Sequence, residues 1–321
     1  MRLLRNVTAI LLFLSLPAQS EEMPVLRLAV LQIGTVNWEL DTIIRNDLDE
    51  KHGFQLDVQP YADNGATRIA VAGDQADMAV ADWIWFARQR AAGKDYTFIP
   101  YSKAVGGLVI PGNSTAQTLA DLDGGKLGIA GGPLDKSWLI LRAYADREFG
   151  FDLEAGTEQV YGAPPLIFKS ALGDSYAGAV NYWHFLAKMK AAGMKELVNV
   201  AQATTALGLD PETPLLGYFG KDAFFAENPG LEQAFYAATR DAKDILLTSD
   251  QAWQELRPAM RAGSDAEFET LRDDWRAGVP VRGPVKSEAA AAMLSLLAEL
   301  GGADLVGKAT ELPAGLFAQV E

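Results

Sequence analysis

The chain contains no cysteine and only two histidines among its 321 residues. The first absence excludes disulfides, thiolate metal sites and a cysteine nucleophile together. The two histidines, His52 and His184, lie far apart, which makes a two-histidine metal site improbable. A Ser-His-Asp triad would have to use His184, and no Gly-x-Ser-x-Gly elbow exists to supply its serine. No catalytic residue, metal or cofactor is therefore expected. Basic residues are also scarce, 28 Lys and Arg against 42 Asp and Glu, a net charge of −14. Such a field makes nucleic acid and anionic membrane surfaces poor partners. Beyond the leading segment no stretch is expected to reach the roughly 20 apolar residues that span a bilayer, so no stable membrane insertion is foreseen. Fixed-period repeats and low-complexity tracts are absent too.

What is present begins with an export signal. Arg2 and Arg5 precede an apolar run from Ala9 to Leu14, Pro17 ends it, and Ala18-Gln19-Ser20 supplies the small-x-small pattern of a cleavage site. Residues 1–20 are read as a cleaved signal peptide, with a mature chain starting near Glu21 in the periplasm or outside the cell. A lipid anchor would need a cysteine at the cleavage point, and there is none. Without Arg2 and Arg5 the mature chain carries 26 basic against 42 acidic residues, a charge of −16. With 49% hydrophobic and 22% charged residues the composition is that of a globular protein with a real core. About 300 mature residues exceed what one core usually supports, which predicts two lobes.

Hydrophobic spacing predicts an α/β architecture, short strands alternating with amphipathic helices. Val25 to Leu31, Leu56 to Val58, Asp77 to Val80 and Tyr96 to Tyr101 read as strands. Helices fill the intervals: one through Trp38 and Leu48 to Gly53, one from Ala66 to Ala72, and one ending at Arg90 before Gly93. After Gly106-Gly107 a second series follows, with strands at Leu108 to Ile110, Lys126 to Ala130, Glu158 to Tyr161, Ala177 to Val180 and Leu197 to Val200. Its helices are Ser137 to Phe149, Pro165 to Leu172 and Tyr182 to Ala192. Past Pro214 only helices are predicted, among them the stripe Leu231, Phe235, Ala238, Ala242, Ile245, and a helix from Glu288 to Leu300 capped by Ser287.

Several ordered landmarks carry a family resemblance. Leu26 to Val30 occupies a first-strand position, and Lys51-His52-Gly53-Phe54-Gln55-Leu56-Asp57-Val58 looks like a "GF/GL-x-V" helix end. Ala72-Gly73-Asp74-Gln75-Ala76-Asp77-Met78-Ala79 looks like "sG-x-xD-a-a", and Thr118 to Gly128 like "sl-x-DLkGk-x-iG". Ser175 to Trp183 resembles "G-x-vDAa-x-x-w", and Glu227-Asn228-Pro229 resembles "enPe". Together they resemble the nitrate/sulfonate/taurine-type (NitT/TauT, SsuA/THI5-like) solute-binding proteins of ABC importers, from about Val25 to Ala259. The resemblance implies a two-lobed type II periplasmic binding protein fold, each lobe a mixed, mostly parallel sheet flanked by helices. Residues 21–104 and 215–321 would form the first lobe and 105–214 the second. It also implies a monomeric, non-enzymatic receptor that closes over one small solute and delivers it to the transmembrane subunits of an ABC permease. Gly106-Gly107 is offered as hinge material, with a simple turn as the rival reading.

Open α/β sheets bind ligands beyond the carboxyl ends of their strands, so the strand-to-helix corners supply the candidates. They are Thr35, Asn37 and Trp38; Asn64; Asp82 and Trp83; Tyr101; Gly131, Gly132, Lys136 and Ser137; and Asn181, Tyr182, Trp183 and His184. Each has a structural rival. Asn64-Gly65 also reads as a turn with a helix cap, Asp82 as the cap of the following helix, and one of Trp83 and Trp85 belongs in the core. The glycines before Lys136 and Ser137 suggest an anion nest. The resemblance suggests a sulfonate or taurine-like anion, whereas the aromatic corners suit a planar heterocycle such as a thiamine-type pyrimidine. A periplasmic accessory or sensor serving another system, and a pyrimidine-precursor-synthase-like enzyme, are the rival functions.

Overall fold

The computed structural model describes residues 23–173 and 175–321; the signal segment expected at 1–20 lies outside the described residues. The α/β prediction is borne out by two five-stranded mixed sheets of the same plan. The first has the order β2 (Gln55–Tyr61), β1 (Val25–Leu31), β3 (Met78–Asp82), β10 (Leu216–Lys221), β4 (Tyr96–Ser102). The second has the order β7 (Glu158–Gly162), β6 (Lys126–Ala130), β8 (Gly178–Tyr182), β5 (Gly106–Ile110), β9 (Lys195–Asn199). In each sheet two strands flank a central one in parallel, β2 and β3 beside β1, and β7 and β8 beside β6. The fourth strand in each runs antiparallel to both neighbours. Leu26, Leu28 and Ala29 are fully buried, because helices cover both faces of such a sheet.

The antiparallel strands are where the chain changes sheets. It leaves β4 for β5 through residues 103–105, and returns from the second sheet to β10 through the segment ending at Leu215. β10 corrects the expectation that only helices follow Pro214. Gly217 and Gly220 hide its alternation, yet Tyr218 and Phe219 between them are fully buried. The crossing glycines are not a flexible turn either: Gly106 pairs with Tyr182 of β8, and Gly107 pairs on both sides, with Asn181 and Asn199. A Cβ on Gly106 would stand 2.4 Å from the Asn181 carbonyl oxygen, and one on Gly107 would stand 2.7 Å from that of Val198. These residues are glycine because neighbouring backbone leaves no room.

The helices refine the sequence reading at their ends. The first predicted helix is two, α1 (Val36–Arg45) and α2 (Leu48–Lys51), broken at Asp47 in the left-handed conformation. The next, α3 (Asn64–Ala72), is capped by Asp63, whose carboxylate accepts the Ala66 N–H at 2.9 Å. α4 (Trp83–Ala91), α5 (Lys136–Phe149), α6 (Pro164–Leu172), α7 (Trp183–Ala191), α8 (Val200–Ala206) and α9 (Asp222–Glu227) follow their strands. Helices α10 (Leu231–Thr248), α11 (Asp250–Met260), α12 (Asp265–Ala277) and α13 (Ser287–Val306) close the chain. Ser287 is the first residue of α13 rather than its cap; Lys286 holds that place without a side-chain bond.

The C-terminal helices touch both sheets. α10 packs on α1 and α2, α12 lies along α7, and α13 sits between α4 and α5. Lys188 pairs with Glu267, and Lys190 with Asp274 at 2.8 Å, across the α7–α12 seam. Beside that seam Trp38 packs edge-on against Trp183 and Trp253, and Trp253 against Trp275. Contrary to the expectation drawn from the sequence, α13 is long and apolar enough to cross a bilayer by length and composition, with a mean hydropathy of 1.5. Its leucines and alanines together account for this. Ala290, Met293, Leu294 and Leu297 are buried, and Gly302 interrupts the helical backbone.

The close approach at β5 gives the first test. Gly106→Ala should destabilise the protein by about 1–3 kcal/mol through overpacking against Asn181. A urea midpoint unchanged by this substitution would show that the glycine serves mobility instead.

Candidate ligand cleft

The carboxyl ends of β1, β3 and β8 and the start of α5 meet at a cavity of about 290 Å³, walled from both sheets. The first sheet's side contributes Thr35, Asn64, Thr67, Arg68, Asp82 and Tyr101; the second contributes Asp135, Lys136, Ser137, Tyr182, Trp183 and His184. Val30, Val80, Ala81, Val105, Leu215 and Leu216 supply apolar surface. Both crossings are fastened here, since the Trp83 N–H donates to the Leu215 carbonyl at 3.2 Å and the Trp183 N–H to the Val105 carbonyl at 2.8 Å.

Nine of the sequence candidates line this cavity: Thr35, Asn64, Asp82, Tyr101, Lys136, Ser137, Tyr182, Trp183 and His184. The other six lie outside its lining. Asn37 turns its amide back to the Leu31 carbonyl at 3.0 Å. Trp38 is buried in the tryptophan cluster, and Trp83 is fully buried against Phe317, so the core takes both. Asn181 is 1% exposed, donating to the Pro164 carbonyl and accepting the Tyr182 N–H, a local turn bond. Gly131, with φ at +90°, gives its N–H to Gly162 and shapes the loop, while Gly132 leads into the Asp135 cap.

The anion nest expected before α5 is also corrected. Asp135 is the cap of that helix, its carboxylate accepting the Trp138 N–H at 3.1 Å, and burial pushes its pKa up. Asp82 caps α4 in the same way, accepting the Trp85 N–H at 3.1 Å. With Asp63 on α3, three helices that start at the cleft edge end in the protein's own carboxylates. One backbone N–H at each of these three starts is thus engaged and a carboxylate sits at its positive dipole end, whereas α1 and α7, which also begin at the cavity, carry no side-chain cap. Asp82 also meets Lys136 Nζ at 3.0 Å, an ion pair that spans the cleft from α4 to α5.

Arg68 and Asp135 were missed by sequence reasoning. Arg68 lies one turn beyond Asn64 and beside Thr67, so helical spacing from a chosen corner residue identifies it. Its guanidinium rests 4.5 Å from the centre of the Trp85 ring, and its Nε is buried without a hydrogen-bond partner. Burial lowers its pKa, with Asp82 opposing that shift. Behind the wall, Lys243 lies 5.2 Å from the Tyr101 ring centre and pairs at 2.6 Å with Glu39, which also accepts the Tyr218 hydroxyl at 2.8 Å. Burial, and then the Glu39 charge, push the Tyr101 phenol far up, so this wall stays neutral. His184 is held down to about 4, chiefly by burial and then by Lys188, and is a neutral imidazole at physiological pH.

The fold these features sit on is that of two-lobed periplasmic binding proteins. The periplasmic aliphatic sulphonate binding protein SsuA from Escherichia coli superposes with a TM-score of 0.73 at 18% identity, over 92% of both chains. The alkanesulfonate-binding SsuA from Xanthomonas axonopodis pv. citri, solved with MOPS, gives 0.67 at 16% identity, over 92% of this chain and 98% of that one. A Candida albicans protein described as having the generic periplasmic binding protein fold gives 0.60 at 12% identity, over 92% and 96%. No curated protein matches by sequence. The family model described as NMT1/THI5 like matches residues 50–252. The chain belongs to that family.

Two outcomes are expected. Lys136→Met leaves Asp82 beside Asp135 without its cation and should lower stability by about 1–3 kcal/mol at low salt. Adding Asp82→Asn should recover most of that loss, as measured by urea denaturation. For His184, the unfolded chain binds a proton below about pH 6.5, whereas the folded one waits until about 4. The unfolded state therefore holds more protons in that window, and stability falls as pH drops through it. His184→Gln should flatten this part of the stability–pH curve; a curve parallel to the parent's would contradict the assignment.

Proposed function

We propose that this protein is an extracytoplasmic solute-binding receptor of an ABC importer. Residues 21–104 with 215–321, and residues 105–214, act as the two lobes of a monomer that closes over one small organic solute. The observation that carries this reading is a cavity walled from both sheets at strand carboxyl ends, which rotation of one sheet against the other would open and shut. Export through residues 1–20 places such a receptor in the periplasm, and the permease's transmembrane subunits are its partner. The cleft has the character of a binding site rather than a reaction centre. Its histidine is neutral, and its lysine and Asp82 neutralise each other.

Family membership and the fold shared with proteins named for sulfonates support the receptor class. The lining residues bear on the solute. Tyr101, Tyr182 and Trp183 favour a planar or apolar body, so a thiamine-pyrimidine-like heterocycle stands beside a sulfonate or taurine-like compound.

Purified mature protein screened against a solute library should show a thermal shift with at least one small organic solute. A solute at about 100 times its Kd stabilises the folded state by about 2.7 kcal/mol. Trp183→Ala should abolish the shift while the unliganded protein still unfolds cooperatively. Chemical conversion of the bound solute, followed by mass spectrometry, would transfer the case to an enzyme.

A further inference from the structure

Resting on the receptor reading, we infer that the solute is a monocarboxylate with an apolar body, its carboxylate held by the guanidinium of Arg68. The argument starts from what the other polar groups of the cleft are doing. Lys136 is engaged by Asp82 at 3.0 Å, and the first turns of α4 and α5 are closed by Asp82 and Asp135. A tetrahedral anion with three equivalent oxygens wants several converging donors, which uncapped helix starts supply. Here Asp63, Asp82 and Asp135 each take one such donor on α3, α4 and α5, and of the helix starts at the cavity only those of α1 and α7 carry no side-chain cap. Arg68 is the cavity-lining cation that meets no ion-pair or hydrogen-bond partner among the described residues, and its Nε is buried and unpartnered.

Arg68 is also oriented. The Trp85 ring supports its guanidinium at 4.5 Å, and such stacking fixes the plane of an otherwise mobile side chain. A planar fork held in place matches a planar carboxylate with two parallel N–H···O bonds, whereas a sulfonate brings a third oxygen into a cleft that already holds the carboxylates of Asp82 and Asp135. Those same carboxylates disfavour a second negative charge on the solute. Beyond Arg68, Val30, Val80, Leu215, Leu216 and Trp183 offer an apolar wall to the remainder.

Matched acids provide the test: hexanoate against hexanesulfonate and benzoate against benzenesulfonate, titrated calorimetrically into the mature protein, with hexylamine and aminopyrimidine as cationic and neutral controls. Each carboxylate should bind more tightly than its sulfonate. Arg68→Lys, which keeps the charge but not the fork, should weaken the carboxylates by about tenfold or more, about 1.4 kcal/mol, with unliganded thermal unfolding unchanged. Tighter sulfonate binding, or a carboxylate affinity unmoved by Arg68→Lys, overturns the inference. Binding confined to the control solutes overturns it while leaving the receptor reading in place; no binding in any class counts against both.

Discussion

The constraint on which the rest of the structure depends is that the chain passes between two sheets twice, side by side. Each passage delivers the antiparallel strand of the sheet it enters and is fastened by one backbone hydrogen bond to the first residue of a helix bordering the cleft, Trp83 to Leu215 and Trp183 to Val105. Those two bonds place the starts of α4 and α7 at the cavity and set how near the sheets stand there. The tight seat of Gly106 and Gly107 against Asn181 and Val198 follows from the same requirement, since β5 must run between two neighbours as soon as it arrives.

The second theme is electrostatic. A fold whose helix starts converge on a cleft is by default attractive to anions. This chain fills three of those starts, on α3, α4 and α5, with Asp63, Asp82 and Asp135 and then sets Lys136 against one of them. The cleft is thereby made nearly neutral from charged parts. The strongly acidic surface gives an anion no long-range help, so discrimination rests on the few groups left unmatched inside. A neutral His184, a raised Tyr101 and a stacked Arg68 are what a site would need to distinguish solutes by shape and one directed fork, as proposed for this cleft.

Much of this was legible in the residues. β1 and β6 were read to the residue, and most helices within one or two positions, because their apolar spacing is clean. β10 was not, because glycines occupy its second and fifth positions and their reason, the Phe98 ring and Asp77 backbone beside them, is tertiary. The corners were legible as corners, and nine of fifteen candidates reach the cavity. The failures share a cause: Trp38, Trp83 and Asn181 occupy the right stretches of chain but point into packing, and direction is not written in local sequence. Arg68 failed in the opposite sense, standing a full helical turn past the corner where attention was fixed.

The clasp between α7 and α12 has a mechanical corollary. α12 comes late in the chain, after β10 has rejoined the first sheet, yet Lys188 and Lys190 bind it to the second. When the jaws part, this helix must either travel with the far jaw or peel from it. Arg261, left-handed just before it, marks a break in the helical backbone, whereas Gly278, just after, is held to the first crossing by the Lys103 N–H at 2.9 Å. The moving unit is then larger than the polypeptide between the crossings, and the stiffness of the shutter is set partly at its outer back edge, well away from the groove it guards.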